Sequence, residues 1–416
     1  TSVKTIEYQY EIVRNHTSQD PYNKDTIEEL VKLMRLVQLA KKGKFDDYDK
    51  STFQQTNKRI EQLVRQWSTR YHREAQVTKN PSLYKMAFFL YDNFLQTFPE
   101  SKHKYTMTFF DAEILYRLEK WDRAAKLYEK TLEIKPKGKY AQDAAHAAVL
   151  AYFKLVNTSE SRASLESPLK FEKKDKAEEV EKGGEEGDDK IPEKKEISKL
   201  KKRLVGACEN YQEYVPEGDR IVDVKYTMAR VYYEHNHLEK AVEIFEDIAF
   251  NHADHRLAVI AANLQLDSLN LLNDFEGLSE AVGKYLEKKP IDDREFVTSV
   301  NKLNRAIQFK LCREKEKAEK WKPAAECYVQ YYRDFPNSKY IDKALYNAAL
   351  AYERIKELGK AIQVRVFLLK AAPNSDLAPK TLFNIGGNYH ALAAYSWAGK
   401  LYEERVKNLP RKEKIA

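Results

Sequence analysis

The sequence is poor in glycine and cysteine, and it contains no long apolar run. Only 13 of the 416 residues are glycine, while 43% are hydrophobic and 33% are charged, a composition typical of amphipathic helices. No stretch of about 18 apolar residues occurs, so the sequence predicts no membrane-spanning helix. The three cysteines, Cys208, Cys312 and Cys327, show no CxxC spacing. We expect them to be buried free thiols rather than a disulfide or a metal site.

Signatures of catalysis are missing as well. The sequence has no P-loop, GxGxxG, HExxH or GxSxG motif, so we predict a protein that is not an enzyme and holds no cofactor or metal. Two histidine-containing stretches, EHNH at 234–237 and HADH at 252–255, resemble metal-ligand spacings. The helix predicted between them separates them by about 18 Å, whereas ligands must converge to about 2 Å on a metal. We therefore interpret these histidines as solvated turn residues.

Charge is abundant but nearly balanced, with 72 basic and 64 acidic residues and a net charge of +8. Such an imbalance lacks the concentrated basic patch of a nucleic-acid binder, so no nucleic-acid partner is predicted. The chain starts TSVKTIEYQ without a methionine or a signal peptide. That start is typical of a processed or trimmed chain and leaves a removed signal or lipid anchor open.

What the sequence does contain is a repeat. The stretch WDRAAKLYEKTLEIKP at 121–136 returns as WKPAAECYVQYYRDFP at 321–336. Prolines mark a period of 37 residues, as at Pro99 and Pro136 and again at Pro336, Pro373 and Pro410. Repeats of this length indicate stacked supersecondary units, because a single unit cannot bury its apolar face alone.

Small and aromatic residues recur at fixed distances from these prolines. Ala124 and Ala324 precede a proline by 12 residues, and Tyr128 and Tyr328 follow them by four. Small residues at i with large ones at i+4 lie on one helix face, so two antiparallel helices can approach closely. Proline then ends the second helix of each pair. The pattern predicts an all-α fold.

This pattern resembles the tetratricopeptide repeat (TPR) signature, with a small residue at position 8, Tyr at 11, Ala at 20, an aromatic at 24 and Pro at 32. The resemblance covers about residues 62–410 and implies a TPR-like α-solenoid, a superhelix of antiparallel helix pairs. The turns PESKHKY, PNSKY and PNSDLAP lengthen the basic repeat by three residues. They are similar to those of bacterial cell-envelope TPR proteins, such as the outer-membrane assembly lipoprotein and the Tol-Pal coordinator.

Five regions follow from the repeat pattern. They are an N-terminal helical region at 1–61 that is a divergent repeat or a cap, repeats at 62–156, a charged insertion at 157–196, repeats at 197–410 and a basic tail at 411–416. The insertion has 13 acidic and 9 basic residues and one aromatic, so we expect it to be disordered. Its role is open between a solvated spacer and a docking segment that folds on a partner.

Two local predictions concern helix ends. In the N-terminal region, Thr26 and Glu29 have the spacing of a capping box at the start of a helix, and Gly43 can end that helix. The repeat at 291–336 is overlong, so its first helix either extends well past its neighbours or breaks near Asp292 and Asp293.

In TPR proteins the first helix of each pair lines a concave groove, and the resemblance implies a partner-binding surface on the corresponding residues here. Tyrosine and arginine are side chains that anchor peptide partners, although each such tyrosine can equally pack between repeats. The residues implied are Phe109, Glu113, Tyr116, Arg117, Tyr226, Arg230, Tyr233, Asn263, Asp267, Asn270, Tyr346, Glu353, Arg354, Phe383 and His390.

The resemblance implies a non-catalytic scaffold or adaptor that binds a protein segment in this groove. It further implies a bacterial periplasmic or outer-membrane assembly, of the outer-membrane biogenesis, Tol-Pal-like or gliding-motility kind. The alternative function is the regulatory or binding part of a larger enzyme whose catalytic domain lies outside this sequence, and the alternative location is the cytoplasm. The oligomeric state stays open.

Overall fold

A computed structural model describes residues 3–19, 22–43, 50–159 and 191–408. Within these ranges the protein is all-α and has no β-strand. The described residues fall into two compact units, one within Thr1–Lys170 and Glu196–Val231 and the other within Phe171–Lys195 and Tyr232–Ala416. None of the helices in these ranges combines the length and the apolar character that crossing a bilayer requires.

The first unit contains eight complete helices. Consecutive helices pack against each other, which is the arrangement that the repeat pattern predicts. These helices are α1 (Val3–Gln19), α2 (Lys24–Lys41), α3 (Lys50–Thr78), α4 (Pro81–Thr97), α5 (Lys104–Arg117), α6 (Trp121–Ile134), α7 (Ala141–Ser159) and α8 (Lys199–Tyr214).

Helix α9 (Ile221–Glu234) starts in the first unit and ends in the second. The second unit continues the series of helix pairs, and most of its helices have 14 residues. Its helices are α10 (Leu238–Asn251), α11 (Ala258–Leu271), α12 (Phe275–Lys288), α13 (Arg294–Lys317), α14 (Trp321–Asp334), α15 (Ile341–Arg354), α16 (Leu358–Ala371), α17 (Ala378–Ala391) and α18 (Tyr395–Asn408). Each unit is thus built as a TPR-like α-solenoid.

The repeated alanines and tyrosines form the contacts between paired helices. Ala124 and Tyr128 on α6, and Ala324 and Tyr328 on α14, are all fully buried. Gly386 takes the small position on α17, where an added Cβ would lie 2.7 Å from the ring of Tyr402. Close approach at the small positions and burial of the large ones explain why the sequence repeats these residue types.

In six helix pairs of the described residues, the turn between the two helices is closed by a residue in the left-handed conformation. At the α5–α6 turn Glu119 has φ of 58°, and the amide of Lys120 donates to the carbonyl of Leu115 at 2.9 Å. This six-to-one bond caps the carbonyl end of the first helix. Glycine usually takes the left-handed position, yet here it is taken by the non-glycine residues Glu119, Asn236, Asn273, Glu319, Lys356 and Ala393.

The predicted capping box at the N-terminal region is wrong. Helix α2 begins at Lys24, and the side chain of Asn23 accepts a hydrogen bond from the amide of Asp25 at 3.2 Å. Thr26 lies inside the helix and is fully buried, while the carboxylate of Glu29 accepts from Gln9 and Lys32. An asparagine three residues earlier therefore does the capping. Gly43, with φ of 71°, follows the end of α2 as expected.

The overlong repeat contains one unbroken first helix. Helix α13 runs for 24 residues from Arg294 to Lys317, against 14 in α11 and α15. Asp293 caps it, because its carboxylate accepts from the amide of Phe296 at 2.7 Å. Of the two alternatives, the structure has the extended helix, and the acidic pair marks its start.

The cysteine prediction is wrong for two of the three residues. Cys312 on α13 and Cys327 on α14 form a disulfide, with Cα atoms 5.4 Å apart. Their separation of 15 residues joins the two helices of one pair across the turn, a pairing that linear spacing does not reveal. Cys208 is a buried free thiol, and burial raises its pKa well above the usual range.

The predicted insertion differs from expectation at both edges. Residues 157–159 continue helix α7, and residues 191–198 lie in described chain next to α8. The amide of Lys195 donates to the carbonyl of His235 at 2.9 Å, so this edge is held by specific bonds rather than disordered. The rest of the insertion, 160–190, and the basic tail 411–416 lie outside the described residues.

Candidate partner-binding surface

The implied groove residues occupy matching places on the first helices of the pairs. They lie 10, 14, 17 or 18 residues after the proline that ends the preceding repeat, or after Ala253, which stands in its place. Spacings of three and four residues place them along one helix face.

On α5 in the first unit, the first implied residue is a core residue. Phe109 is only 7% exposed, and its ring stacks on Tyr140 with centroids 4.4 Å apart and planes 8° from parallel. It also contacts the ring of the repeat tyrosine Tyr128. Phe109 therefore packs between repeats and offers almost no surface to a partner.

Farther along α5 the side chains become accessible. Glu113 is half-buried, and its carboxylate accepts a hydrogen bond from the hydroxyl of Tyr128 at 2.5 Å. Tyr116 lies edge-on to Trp121, with ring centroids 4.8 Å apart. Arg117, the last residue of the helix, is exposed. An aromatic pair beside an exposed guanidinium is a suitable anchor for a peptide.

The two implied residues of α9 that lie in the first unit are less accessible. Tyr226 is half-buried, whereas Arg230 is only 7% exposed. A buried guanidinium does not present its donors to an incoming ligand, so Arg230 is the less suitable of the two for binding.

In the second unit, one implied pair joins α9 to α11. The hydroxyl of Tyr233 donates to the carboxylate of Asp267 at 2.5 Å. On α11, the side-chain amide of Asn263 donates to the carbonyl of Val259, and Asn270 is half-buried. This face is polar, but much of its hydrogen-bonding capacity is used within the fold.

The C-terminal pairs present cation–aromatic contacts at the surface. The guanidinium of Arg354 lies 5.5 Å from the ring centroid of Trp321, and the ammonium of Lys380 lies 5.3 Å from that of Tyr346. Arg354 is exposed and Tyr346 is half-buried. Such contacts order the cation while leaving part of it accessible to an acidic or carbonyl group.

A buried cluster that the sequence did not reveal fixes Glu353. Arg365 on α16 is fully buried and donates from Nη1 to the Glu353 carboxylate at 2.7 Å. The side-chain amide of Asn388 on α17 donates to the same oxygen at 2.5 Å, and Arg365 also donates to Asn388. Burial alone would raise the pKa of Glu353, but these hydrogen bonds outweigh it and lower the pKa below its usual value. Glu353 is therefore ionised and committed to an internal network.

The last pair carries several highly exposed aromatic side chains. Phe383 on α17 is 49% exposed and contacts the ring of Tyr402. His390 is exposed and lies 5.3 Å from the ring of Tyr395, which is itself exposed. Trp397 is 59% exposed, with Lys400 over its ring. The repeat pattern indicated Phe383 and His390 but gave no signal for Tyr395 and Trp397.

No group of three or more His, Cys, Asp or Glu side chains in the described ranges is placed to hold a metal ion. The histidine at 237 instead forms a hydrogen bond from Nε2 to the carbonyl of Lys195 at 3.1 Å. Glu234 and His235 belong to the same turn, so this stretch is used for packing an adjoining segment rather than left to solvent as the sequence suggested.

Comparisons with known proteins match this chain to solved structures of low sequence identity. Neither a protein-family model nor a curated protein matches the sequence. Among solved structures, the TPR2AB domain–pHSP90 complex of yeast Sti1 is 14% identical, with 74% of this chain and 91% of that chain covered and a TM-score of 0.26. The P58(IPK) TPR domain is 12% identical, with 99% and 95% covered and a TM-score of 0.25.

A tetratricopeptide repeat protein from Parabacteroides merdae is 10% identical, with 83% of this chain and 99% of that chain covered and a TM-score of 0.24. The repeat prolines, the buried Ala and Tyr positions and the paired helices of each unit define a TPR-like α-solenoid.

Proposed function

We propose that this protein is a non-catalytic scaffold or adaptor that binds a protein segment through the first helices of its pairs. The observation that carries the proposal is the division among the implied residues. Phe109, Glu353 and Asp267 are used by internal packing or hydrogen bonds, whereas Arg354, Phe383 and His390 remain exposed on α15 and α17. The fold thus commits one subset of the implied residues to internal contacts and leaves the other accessible to a partner.

The exposed subset suits a partner with both apolar and anionic character. Phe383 offers an accessible aromatic face, and Arg354 offers guanidinium donors held beside Trp321. Guanidinium groups pair well with carboxylates, and aromatic side chains supply much of the binding energy in protein interfaces. We infer a peptide segment that carries an acidic residue near a hydrophobic one.

We further propose that the protein works in a bacterial envelope assembly, of the outer-membrane biogenesis, Tol-Pal-like or gliding-motility kind. Besides the resemblance of its repeat turns, the disulfide between Cys312 and Cys327 supports this placement. Disulfides persist in oxidising compartments such as the periplasm and are rare in the cytosol. The cytoplasm remains the competing location.

The test is capture of partners from the native cell with matched variants. We compare the wild-type protein with an Arg354→Glu/Phe383→Ser double variant and with Lys370→Glu/Val366→Ser, which makes a charge reversal and an apolar-to-serine change at exposed positions of α16. A segment-binding scaffold loses its partner in the first variant and keeps it in the control. Equal retention in both would overturn the assignment of this surface.

The same experiment addresses the regulatory-subunit alternative. Absence of any stable partner for the wild-type protein would favour that alternative over the scaffold. In that case the discriminating step is to sequence the gene upstream of Thr1, because a catalytic domain and a lipid-attachment signal have unlike sequences.

A further inference from the structure

The turn between α9 and α10 holds a neighbouring stretch of extended chain. We define the strap as residues 191–195 and the strap site as His235, Asn236, His237 and Glu239. Both lie in the second unit. The strap has no helix or strand of its own, and the side chains at 191 and 193–195 are exposed. Whatever holds it in place must therefore act mainly on its backbone.

Three hydrogen bonds connect the strap site to backbone groups of the strap. The amide of Lys195 donates to the carbonyl of His235 at 2.9 Å, and the carbonyl of Lys195 accepts from Nε2 of His237 at 3.1 Å. The side-chain amide of Asn236 donates to the carbonyl of Glu193 at 2.7 Å. The bonds recognise a chain that is extended between these two positions and do not depend on its side chains.

One side-chain contact adds a preference for a basic residue. The ammonium of Lys194 lies 3.0 Å from the carboxylate of Glu239. Both side chains are more than half exposed, so solvent screens this ion pair and it contributes little to binding. The backbone bonds dominate, and the lysine provides secondary selectivity.

Backbone conformation explains why this turn can act as a binding site. Asn236 adopts a left-handed conformation with φ of 58°, which closes the α9–α10 turn. Asparagine tolerates that conformation better than most residues, and unlike glycine it also brings a donor. The turn that ends one helix therefore also carries a directed amide group.

We propose that the α9–α10 turn is a binding site for extended, lysine-containing peptide backbone, and that the strap occupies it in cis as an intramolecular ligand. The strap is the C-terminal edge of the charged insertion, so the site fixes where that insertion rejoins the repeats. Partner binding through α15 and α17 uses other residues, so the two proposals can fail separately.

The first test measures hydrogen exchange over residues 191–198 in the full chain. Asn236→Gly removes the amide donor but keeps a residue that favours positive φ, so the turn should still form. Asn273→Gly is the matched control, because Asn273 has φ of 55° at the next turn. We expect Asn236→Gly to speed exchange at the Lys195 amide at least tenfold and Asn273→Gly to leave it unchanged. Wild-type exchange already at the rate of unstructured chain would overturn the proposal.

The second test asks whether the site accepts a ligand in trans. Lys195→Pro removes the backbone donor of the strap and leaves the strap site intact. We expect a peptide of the sequence IPEKKEIS, residues 191–198, to give saturation-transfer NMR signals with this variant and weaker ones with wild type. Adding Asn236→Gly to Lys195→Pro should abolish the signals. Equal signals in wild type, Lys195→Pro and the double variant would show that the turn is no binding site.

Discussion

Arg365 shows how a single residue can decide whether a predicted binding residue is available. Its guanidinium is buried against Glu353 and Asn388, and among the described residues its Nε and Nη2 atoms have no hydrogen-bond acceptor. A buried charge of this kind is stable only while its partner is present. The cluster therefore connects α15, α16 and α17 and keeps Glu353 from serving a ligand.

We expect Arg365→Ala to destabilise the protein by about 2–3 kcal/mol, because it leaves the Glu353 carboxylate half-buried without its cation and opens a cavity. Thermal unfolding should show a lower midpoint than for wild type. Lys370→Ala, on the exposed side of the same helix, is the control and should change little. A midpoint for Arg365→Ala that equals the control would contradict a structural role for the cluster.

Asp111 on α5 is the second residue whose environment the sequence conceals. Its side chain is 1% exposed, and its Oδ1 atom has no hydrogen-bond partner within the described ranges. Burial raises its pKa to about 8, and the nearby charge of Asp92 adds to the rise while Arg123 opposes it. Arg123 lies 3.5 Å from Asp92, so its charge is shared with that carboxylate.

The direction of the resulting pH dependence follows from proton binding. A carboxyl group with a folded-state pKa above its unfolded value binds more protons when folded, so stability falls as pH rises between about 4 and 8. We expect Asp111→Asn to flatten this dependence and to stabilise the protein by more than about 1 kcal/mol at pH 8. The free energy of unfolding is measured with urea at pH 5 and pH 8, and Glu100→Gln serves as a control at an exposed position. An unchanged slope in Asp111→Asn would rule out this group as the cause.

At the level of the helix, several turns between paired helices carry residues that are unfavourable for their backbone conformation. Lys356 takes the left-handed position between α15 and α16 with φ of 62°, and the amide of Glu357 donates to the carbonyl of Tyr352 to complete the cap. A residue with a Cβ pays about 1–2 kcal/mol for this conformation, and glycine avoids that cost.

Lys356→Gly should therefore stabilise the protein by about 0.5–1 kcal/mol, once the larger entropy of glycine in the unfolded chain is subtracted. The control is Gln363→Gly within α16, which should destabilise by about 1 kcal/mol because Gln363 is exposed and lies in the helix interior. We expect the thermal midpoint to rise relative to wild type in Lys356→Gly and to fall in the control variant. A loss of stability in both variants would show that Lys356 makes contacts beyond its backbone role.

The same elements show which structural features a sequence can predict. The helix pairs could be predicted because Ala124, Tyr128 and their repeats occupy buried positions at a fixed period, and burial restricts residue type. The turn position could not, because Glu, Asn, Lys and Ala all occupy it and only Asn among them is a usual signal for positive φ. The cap at Asn23 was missed for a related reason, since Thr26 and Glu29 matched a better-known pattern three residues later.

For the whole molecule, the repeat fold followed from the sequence, but the set of accessible groove residues did not. Repeat position identifies a helix face, and only the packing of neighbouring helices decides whether a residue such as Phe109 is stacked inside or one such as Phe383 is exposed. The disulfide was missed because Cys312 and Cys327 come together only when α13 and α14 pack antiparallel across the turn between them. Neither the exposure of a groove residue nor the disulfide can be deduced from the spacing of residues along the sequence.

The three cysteines together test the proposed location in the cell. In an oxidising compartment Cys312 and Cys327 stay paired and Cys208 stays a free, buried thiol, so denaturation in the presence of a maleimide reagent should label one cysteine per chain. In a reducing cytosol the same treatment of native cells should label three. Cys208 is the internal control, because it reports complete denaturation and labelling in either case. We expect the protein to co-fractionate with envelope membranes and to carry a single label. Three labels and a purely cytosolic location of the protein would exclude the envelope proposal.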